Sequence, residues 1–428
     1  EIKECDWSSD VCSSDLLVWI PAAVAVADTA PRHVDVYVSG TEGYFAFRIP
    51  AIETAADGSL LAFAEARKYN LDDPGYGKQD IDLVLRRSTD QGQTWSPMQV
   101  LEDPGELWSA ANPATVVDRQ TGRVWLFYLR CKPERNTSTA RPGTDDTQVI
   151  VRWSDDHGVT WSEPQDCTRA SRDLDDPQWR TTVVGPGGGI QLQSGRLIVP
   201  AWKTEPYRVF TLYSDDHGVT WKRSVLVPGE QGFDESQLVE LADGRVLIDM
   251  RQNSGAHRWM SVSDDQGHTW SPVFAGNAVS PVACAIERFP ASSAPDQRER
   301  ILWTGPKGPA RRTLVARVSY DQGRTFENER IISDEPAAYS DLTLLPDSSI
   351  GCLWERGDYK YITFTRFDLA FVEPPGPAFA AGADSTFTFD TGVLQGVLRS
   401  ANMAFGLTAA THVPSGQQLT GSHMLLGV

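Results

Sequence analysis

A chain of 428 residues with 40% apolar and 22% charged side chains can bury a substantial core, and is long enough for one large all-β domain with additions. That balance argues against a disordered polymer, and a formal charge of −18 argues against a phosphate-backbone partner, which requires concentrated Lys and Arg. Cys5 and Cys12 stand in the leader, and Cys131, Cys167, Cys284 and Cys352 are too scattered for a CxxC pattern, so no metal site is expected.

The first fifteen or so residues, through Asp15, lack periodicity and read as foreign to the fold. Leu16 to Ala30 is a short apolar run followed by small residues, similar to the end of a secretory signal with cleavage near Ala27 or Ala30; a buried strand is the other reading. The run is too short to span a bilayer. A secreted or periplasmic location is the expectation.

Further along, the pattern S-x-D-x-G-x-T-[W/F] occurs five times: Ser88 to Trp95, Ser154 to Trp161, Ser214 to Trp221, Ser263 to Trp270 and Ser319 to Phe326. The copies start about 50 to 65 residues apart, a spacing that suits a four-stranded propeller blade. Each copy has the chemistry of a hairpin turn: Asp accepts from nearby backbone amides, Gly supplies positive φ, and the aromatic ring anchors the turn. Between copies, alternating runs such as Gly122 to Tyr128 and Arg245 to Met250 predict strands, while helical periodicity is almost absent. The Gly185-Pro186-Gly187-Gly188-Gly189 stretch lacks a Gly-Lys-Ser/Thr ending and a βαβ context, so it reads as a tight inter-strand turn and not as a phosphate cradle. His157, His217 and His268 fall on the repeated turns, away from any metal-ligand spacing. After Val372, Glu373-Pro374-Pro375-Gly376-Pro377 reads as a linker, and the Thr- and Phe-rich stretch beyond it as the start of an accessory β domain.

The five copies resemble the Asp boxes of the sialidase-like propellers, and the resemblance covers roughly Tyr37 to Phe371. It implies an all-β chain: residues 31–372 as a six-bladed β-propeller, residues 1–30 as leader, and residues 373–428 as linker and accessory segment. Asp boxes also occur in propellers without sialidase activity, so function rests on other motifs, which follow in the family's order.

Phe47-Arg48-Ile49-Pro50 is similar to the family's first-blade motif, Arg251 in Asp249-Met250-Arg251-Gln252-Asn253 matches the second arginine, and the third should lie eight residues before the serine of the last box, which selects Arg311, with the adjacent Arg312 as the alternative. Sialic acid carries a carboxylate on its anomeric carbon, and planar guanidinium groups bind a carboxylate in an oriented, bidentate way. Ala338-Tyr339-Ser340-Asp341-Leu342 resembles the segment bearing the nucleophilic tyrosine, and Asp234-Glu235-Ser236-Gln237-Leu238 the one bearing its glutamate partner. A neutral phenol approaching a carbon that already bears a carboxylate avoids like-charge repulsion, but needs Glu235 to accept its proton. The family usually has Asn where this chain has Asp234, and a second carboxylate there would raise the pKa of Glu235 if the two lie close. The acid/base should stand on the loop after Ala64-Glu65-Ala66-Arg67-Lys68: Asp73 is the choice, with Asp72 and Asp80 as alternatives. Glu355 resembles the residue that braces the first arginine, Arg67 an additional pocket arginine, and Trp108 and Asn112 belong to a segment that lines one side.

The resemblance therefore implies a retaining exo-α-sialidase that needs no cofactor and acts on terminal sialic acid of glycoconjugates. A non-catalytic sialoglycan-binding propeller, a trans-sialidase and a hydrolase for a related nine-carbon acid sugar are the alternatives, and the latter two differ in rim residues that sequence does not reveal.

Overall fold

The computed structural model describes residues 30–229, 232–308 and 310–373, and beyond them the strands at 378–381, 386–390, 394–399, 406–412 and 417–418. The expected leader, apart from Ala30, and the linker residues 374–377 lie outside the described residues.

Antiparallel meanders of four strands follow one another along the chain. The first comprises Ala46–Thr54, Leu60–Arg67, Ile81–Ser88 and Gln99–Glu102, and the second runs from Ser109–Val117 through Val124–Cys131 and Thr147–Ser154 to Gln165–Asp166. Leu197–Lys203 and Arg208–Ser214 form the centre of the next, and Phe233–Glu240 through Phe274–Ala278 another. The long strand Glu327–Leu344 serves two sheets: its first half pairs with Arg312–Ser319 and its second half with Ile350–Arg356. The fold is a β-propeller. The first strands Ala46–Thr54, Ser109–Val117 and Phe233–Glu240 are buried along nearly their whole length, because neighbouring sheets cover both faces.

The repeated turns set the order of the blades around the axis. In the first copy Ser88 Oγ donates to Asp90 Oδ1, Gly92 N–H donates to Ser88 Oγ, and Thr94 N–H and Oγ1 donate to the two Asp90 oxygens at 2.9 and 2.6 Å. The four later copies repeat this network. Each box glycine takes a positive φ and sits against a side chain of the preceding blade: Gly158 on Leu61, Gly218 on Trp125, Gly267 on Ile198 and Gly323 on Leu247. Gly92 of the first copy sits on Phe364, in the last blade, so the series closes into a ring. The first and last strands of the propeller complete the closure, since Arg32–Val38 pairs antiparallel with Tyr361–Phe367.

Gly187–Gly188 differs from the expected inter-strand turn: it pairs in parallel with Ala114 and Thr115, and a Cβ on Gly187 would stand 2.1 Å from the Gln237 amide. Glycine is required there because two backbones and a side chain converge near the axis. Glu373, expected to open the linker, is tied to the propeller by Arg300 at 2.6 Å and by the Tyr320 hydroxyl. The five strands from Ala378–Ala381 to Gln417–Gln418 pair with one another in a separate antiparallel sheet. No described helix is long and apolar enough to cross a membrane.

Candidate active site

The blade geometry separates the two ends of the channel. Arg48 pairs with Glu65 at one end of the first two strands, whereas Leu60 pairs with Ser88 at the other, so the Asp boxes lie opposite the end that carries Arg48 and Arg67. At the Arg48 end four inner strands are interrupted by bulges, between Arg48 and Ala51, Ala111 and Ala114, Phe233 and Ser236, and Ala337 and Ser340. A bulge re-aims the side chains inside it. Arg48, Asn112, Glu235 and Tyr339 all stand in or at these bulges, and all line one cavity of about 310 Å³.

Tyr339 is at the centre of this cavity and only 6% exposed. Its hydroxyl donates to Glu235 Oε1 at 2.7 Å and accepts from Arg251 Nη1 at 2.8 Å. The guanidinium carbons of Arg48, Arg251 and Arg311 lie 5.6, 6.0 and 5.5 Å from its ring centroid. Burial, and then the charge of Glu235, hold the phenol well above its ordinary pKa against the pull of the three arginines. The tyrosine is therefore neutral, with its proton already directed at a carboxylate.

The arginines are held from behind. Glu355 accepts from Arg48 Nε at 2.5 Å, from Ile49 N–H at 2.9 Å and from Tyr339 N–H at 3.2 Å, so one buried carboxylate fixes two bulges. Ile49 needs that fixing because it takes φ +57°, an outlier for a β-branched residue. Arg67 pairs with Glu65 at 2.7 Å and reaches the carbonyls of Leu71 and Asp72, while the other oxygen of Glu65 accepts from Asn112 N–H. Leu129, Val183 and Trp202 make an apolar wall.

The alternatives left open by the sequence separate here. Arg311 faces the cavity, whereas Arg312 is exposed at the start of its strand. Asp73 lines the cavity, 3.3 Å from Arg67 Nη2, with 70% of its side chain accessible. Asp72 is exposed and lies outside the lining, and Asp80 is buried against Lys68 Nζ at 2.8 Å. Of the two expected lining residues, Asn112 in the bulge lines the cavity, whereas Trp108 sits outside the lining on the turn before Ser109–Val117, where its carbonyl accepts from Ile81 N–H.

Tyr359 was not anticipated. Its ring lies 4.1 Å from the Arg48 guanidinium carbon and its hydroxyl accepts from Arg311 Nη1 at 3.0 Å, so it joins two of the three arginines. The signal available in the sequence was the Gly357-Asp358-Tyr359 turn directly after Glu355-Arg356, which returns the chain to the same end. Among the described residues no His, Cys, Asp and Glu group is arranged to hold a metal ion.

A β-propeller whose mouth gathers three guanidinium groups around a hydrogen-bonded tyrosine–glutamate pair has the charge and geometry to receive an anion such as a carboxylate. The family model described as a BNR repeat-like domain matches residues 58–352. The sialidase of Micromonospora viridifaciens is 34% identical over 79% of this chain and 54% of its own length, so the chain spans about half of that relative. Sialidase-2 of Cricetulus griseus is 30% identical over 78% of this chain and 94% of its own length. Among solved structures, the Hadza microbial sialidase Hz136 superposes with a TM-score of 0.73 at 26% identity, covering 79% of this chain and 68% of that one. The chain belongs to the sialidase family with BNR repeats.

Proposed function

We propose that this protein is an exo-α-sialidase that hydrolyses terminal sialic acid from glycoconjugates with retention, through a tyrosyl-enzyme intermediate. The observation that carries the reading is the 2.7 Å hydrogen bond from the Tyr339 hydroxyl to Glu235 inside a ring of three arginines. Arg48, Arg251 and Arg311 clamp the sugar carboxylate and thereby orient the anomeric carbon over Tyr339. In the first step the Tyr339 oxygen bonds to that carbon, its proton passes to Glu235, and the leaving oxygen departs with a proton from Asp73. In the second, Asp73 takes a proton from water, the water oxygen displaces Tyr339, and Glu235 returns the proton to the phenolate. Asp73 suits both roles because it is accessible at the mouth, where leaving group and water exchange. A secreted or periplasmic location is part of the same proposal, since its substrates are glycoconjugates.

The test is release of 4-methylumbelliferone from its α-sialoside. Tyr339→Phe, which removes one hydroxyl, should lower kcat by about 10³-fold or more, judged against other disabled catalytic units, with a nearly unchanged melting temperature. Turnover near the wild-type level in that variant would refute the nucleophile assignment, and a folded wild type with no turnover would refute the enzyme.

A further inference from the structure

Arg251 is held unevenly compared with the other two arginines. Its Nη1 donates to Glu235 and Tyr339, yet its Nε–H is buried with no hydrogen-bond acceptor, although Asp234 Oδ1 stands 3.8 Å away. That separation is too long for a hydrogen bond. Asp234 Oδ1 instead accepts the backbone N–H of Glu235 at 2.7 Å, and the residue is 5% exposed in the cavity wall. The charged and titratable groups facing it are Glu235 on its own strand, Arg251 on the neighbouring strand, Arg258 on the next, and Tyr207 from the adjacent blade. Arg258 is already committed to Asp249 at 2.7 Å, so Arg251 is the cation with a free donor for Asp234.

Resting on the sialidase reading, we propose that Asp234 is a positioning residue that competes with the substrate carboxylate for Arg251, so that loss of the Asp234 proton weakens binding of the acid sugar. With Asp234 neutral, Arg251 is opposed by Glu235 alone and offers the remainder of its guanidinium to the ligand. With Asp234 ionised, the unpartnered Nε–H has a carboxylate to close on, and a second negative charge faces an incoming anion in a pocket sheltered from water. The direction of titration agrees: burial, helped by the charge of Glu235, pushes the Asp234 carboxyl up to about 7 against the pull of Arg251. Below that pH the residue is protonated, and above it the competition begins.

Asp234→Asn isolates the effect, because an amide oxygen still accepts the Glu235 N–H while the titrating charge is gone. KM and kcat for the 4-methylumbelliferyl α-sialoside are measured from pH 5.5 to 8.5 in wild type and variant, with inhibition by free N-acetylneuraminic acid as an independent measure of anion affinity. In the wild type, KM and the inhibition constant should rise about fivefold between pH 6 and pH 8, the order expected for one added charge at several ångströms in a partly shielded site. In Asp234→Asn both should stay within about twofold, and the kcat profiles should run in parallel. The same rise in both proteins, or none in the wild type, overturns the proposal while leaving the enzymatic reading intact. No wild-type turnover at any pH takes down the reading and this proposal together. If Asp234→Asn fails to fold, Asp234→Ser retains a small hydroxyl acceptor and carries the comparison with the same expected outcomes.

Discussion

At the scale of single residues, the pocket depends on a few side chains whose partners fix their direction. Burial raises Tyr339 above its ordinary pKa and its proton is aimed at the Glu235 carboxylate 2.7 Å away, which in the proposed mechanism accepts that proton as the phenol attacks. Arg311 and Arg312 are adjacent in sequence and opposite in environment, since Arg311 donates to Tyr359 and to the Pro281 carbonyl while Arg312 is exposed. Replacing each with alanine separates them. Arg311→Ala should raise KM about 10- to 100-fold, the range for losing a hydrogen bond to a charged group, and Arg312→Ala should leave KM within about twofold of wild type. Equal effects in steady-state kinetics would mean that the register of this loop is wrong. Local sequence could not decide between them, because which of two neighbouring residues faces inward depends on how the loop meets Pro281 and Tyr359.

At the scale of elements, the Asp boxes and the bulges divide the labour. The boxes staple blade to blade at one end, and the bulges aim side chains into the pocket at the other. Gly218→Ala tests the first of these. A Cβ at that position would lie 2.2 Å from the Trp125 ring in a residue at φ +83°, so overpacking and backbone strain combine. Urea unfolding should register a loss of about 1–3 kcal/mol or more, while kcat per folded molecule is unchanged, because the box lies away from the pocket. A fall in kcat without loss of stability would contradict that separation. The boxes were readable in the sequence because every residue acts within eight positions. The bulges were not, because a bulge is a mismatch between two strands, and Phe233-Asp234-Glu235-Ser236 reads as continuous strand until Gln252 and Met250 pair with its ends.

At the scale of the whole molecule, the central channel has a second cavity of about 600 Å³ at the Asp-box end, where Glu53 and Glu287 face it. Asp341 and Gln237 form the floor between the two cavities: Asp341 accepts from Ile52 N–H and from the Gln237 amide, and Gln237 accepts from Ile286 N–H. Burial, then the charge of Glu287, pushes Glu53 up to about 8, and burial, then Asp341, does the same to Glu287. Their folded pKa values exceed the unfolded ones, so the folded state binds more protons between about pH 4.5 and 8, and stability declines as pH rises through that window. Glu53→Gln or Glu287→Gln should therefore raise the melting temperature at pH 8.5 and leave it nearly unchanged at pH 4.5, as thermal scans across that range would record. A gain at pH 4.5 as large as that at pH 8.5 would rule out titration as the cause.

The sequence by itself determined an all-β chain, the five stapled turns and most of the residues that meet at the mouth, because strand period, turn chemistry and short motifs are local properties. Only the tertiary structure decided that Asp73 lines the pocket while Asp80 is buried against Lys68, that of Trp108 and Asn112 only Asn112 lines it, and that Tyr359 joins Arg48 to Arg311. Each of those outcomes depends on contacts between blades distant in sequence: Glu355 reaches back more than 300 positions to Arg48, and closure of the ring brings them together. A side chain's direction at a bulge or loop follows from what the neighbouring blade presents to it, and no stretch of the chain carries that information alone.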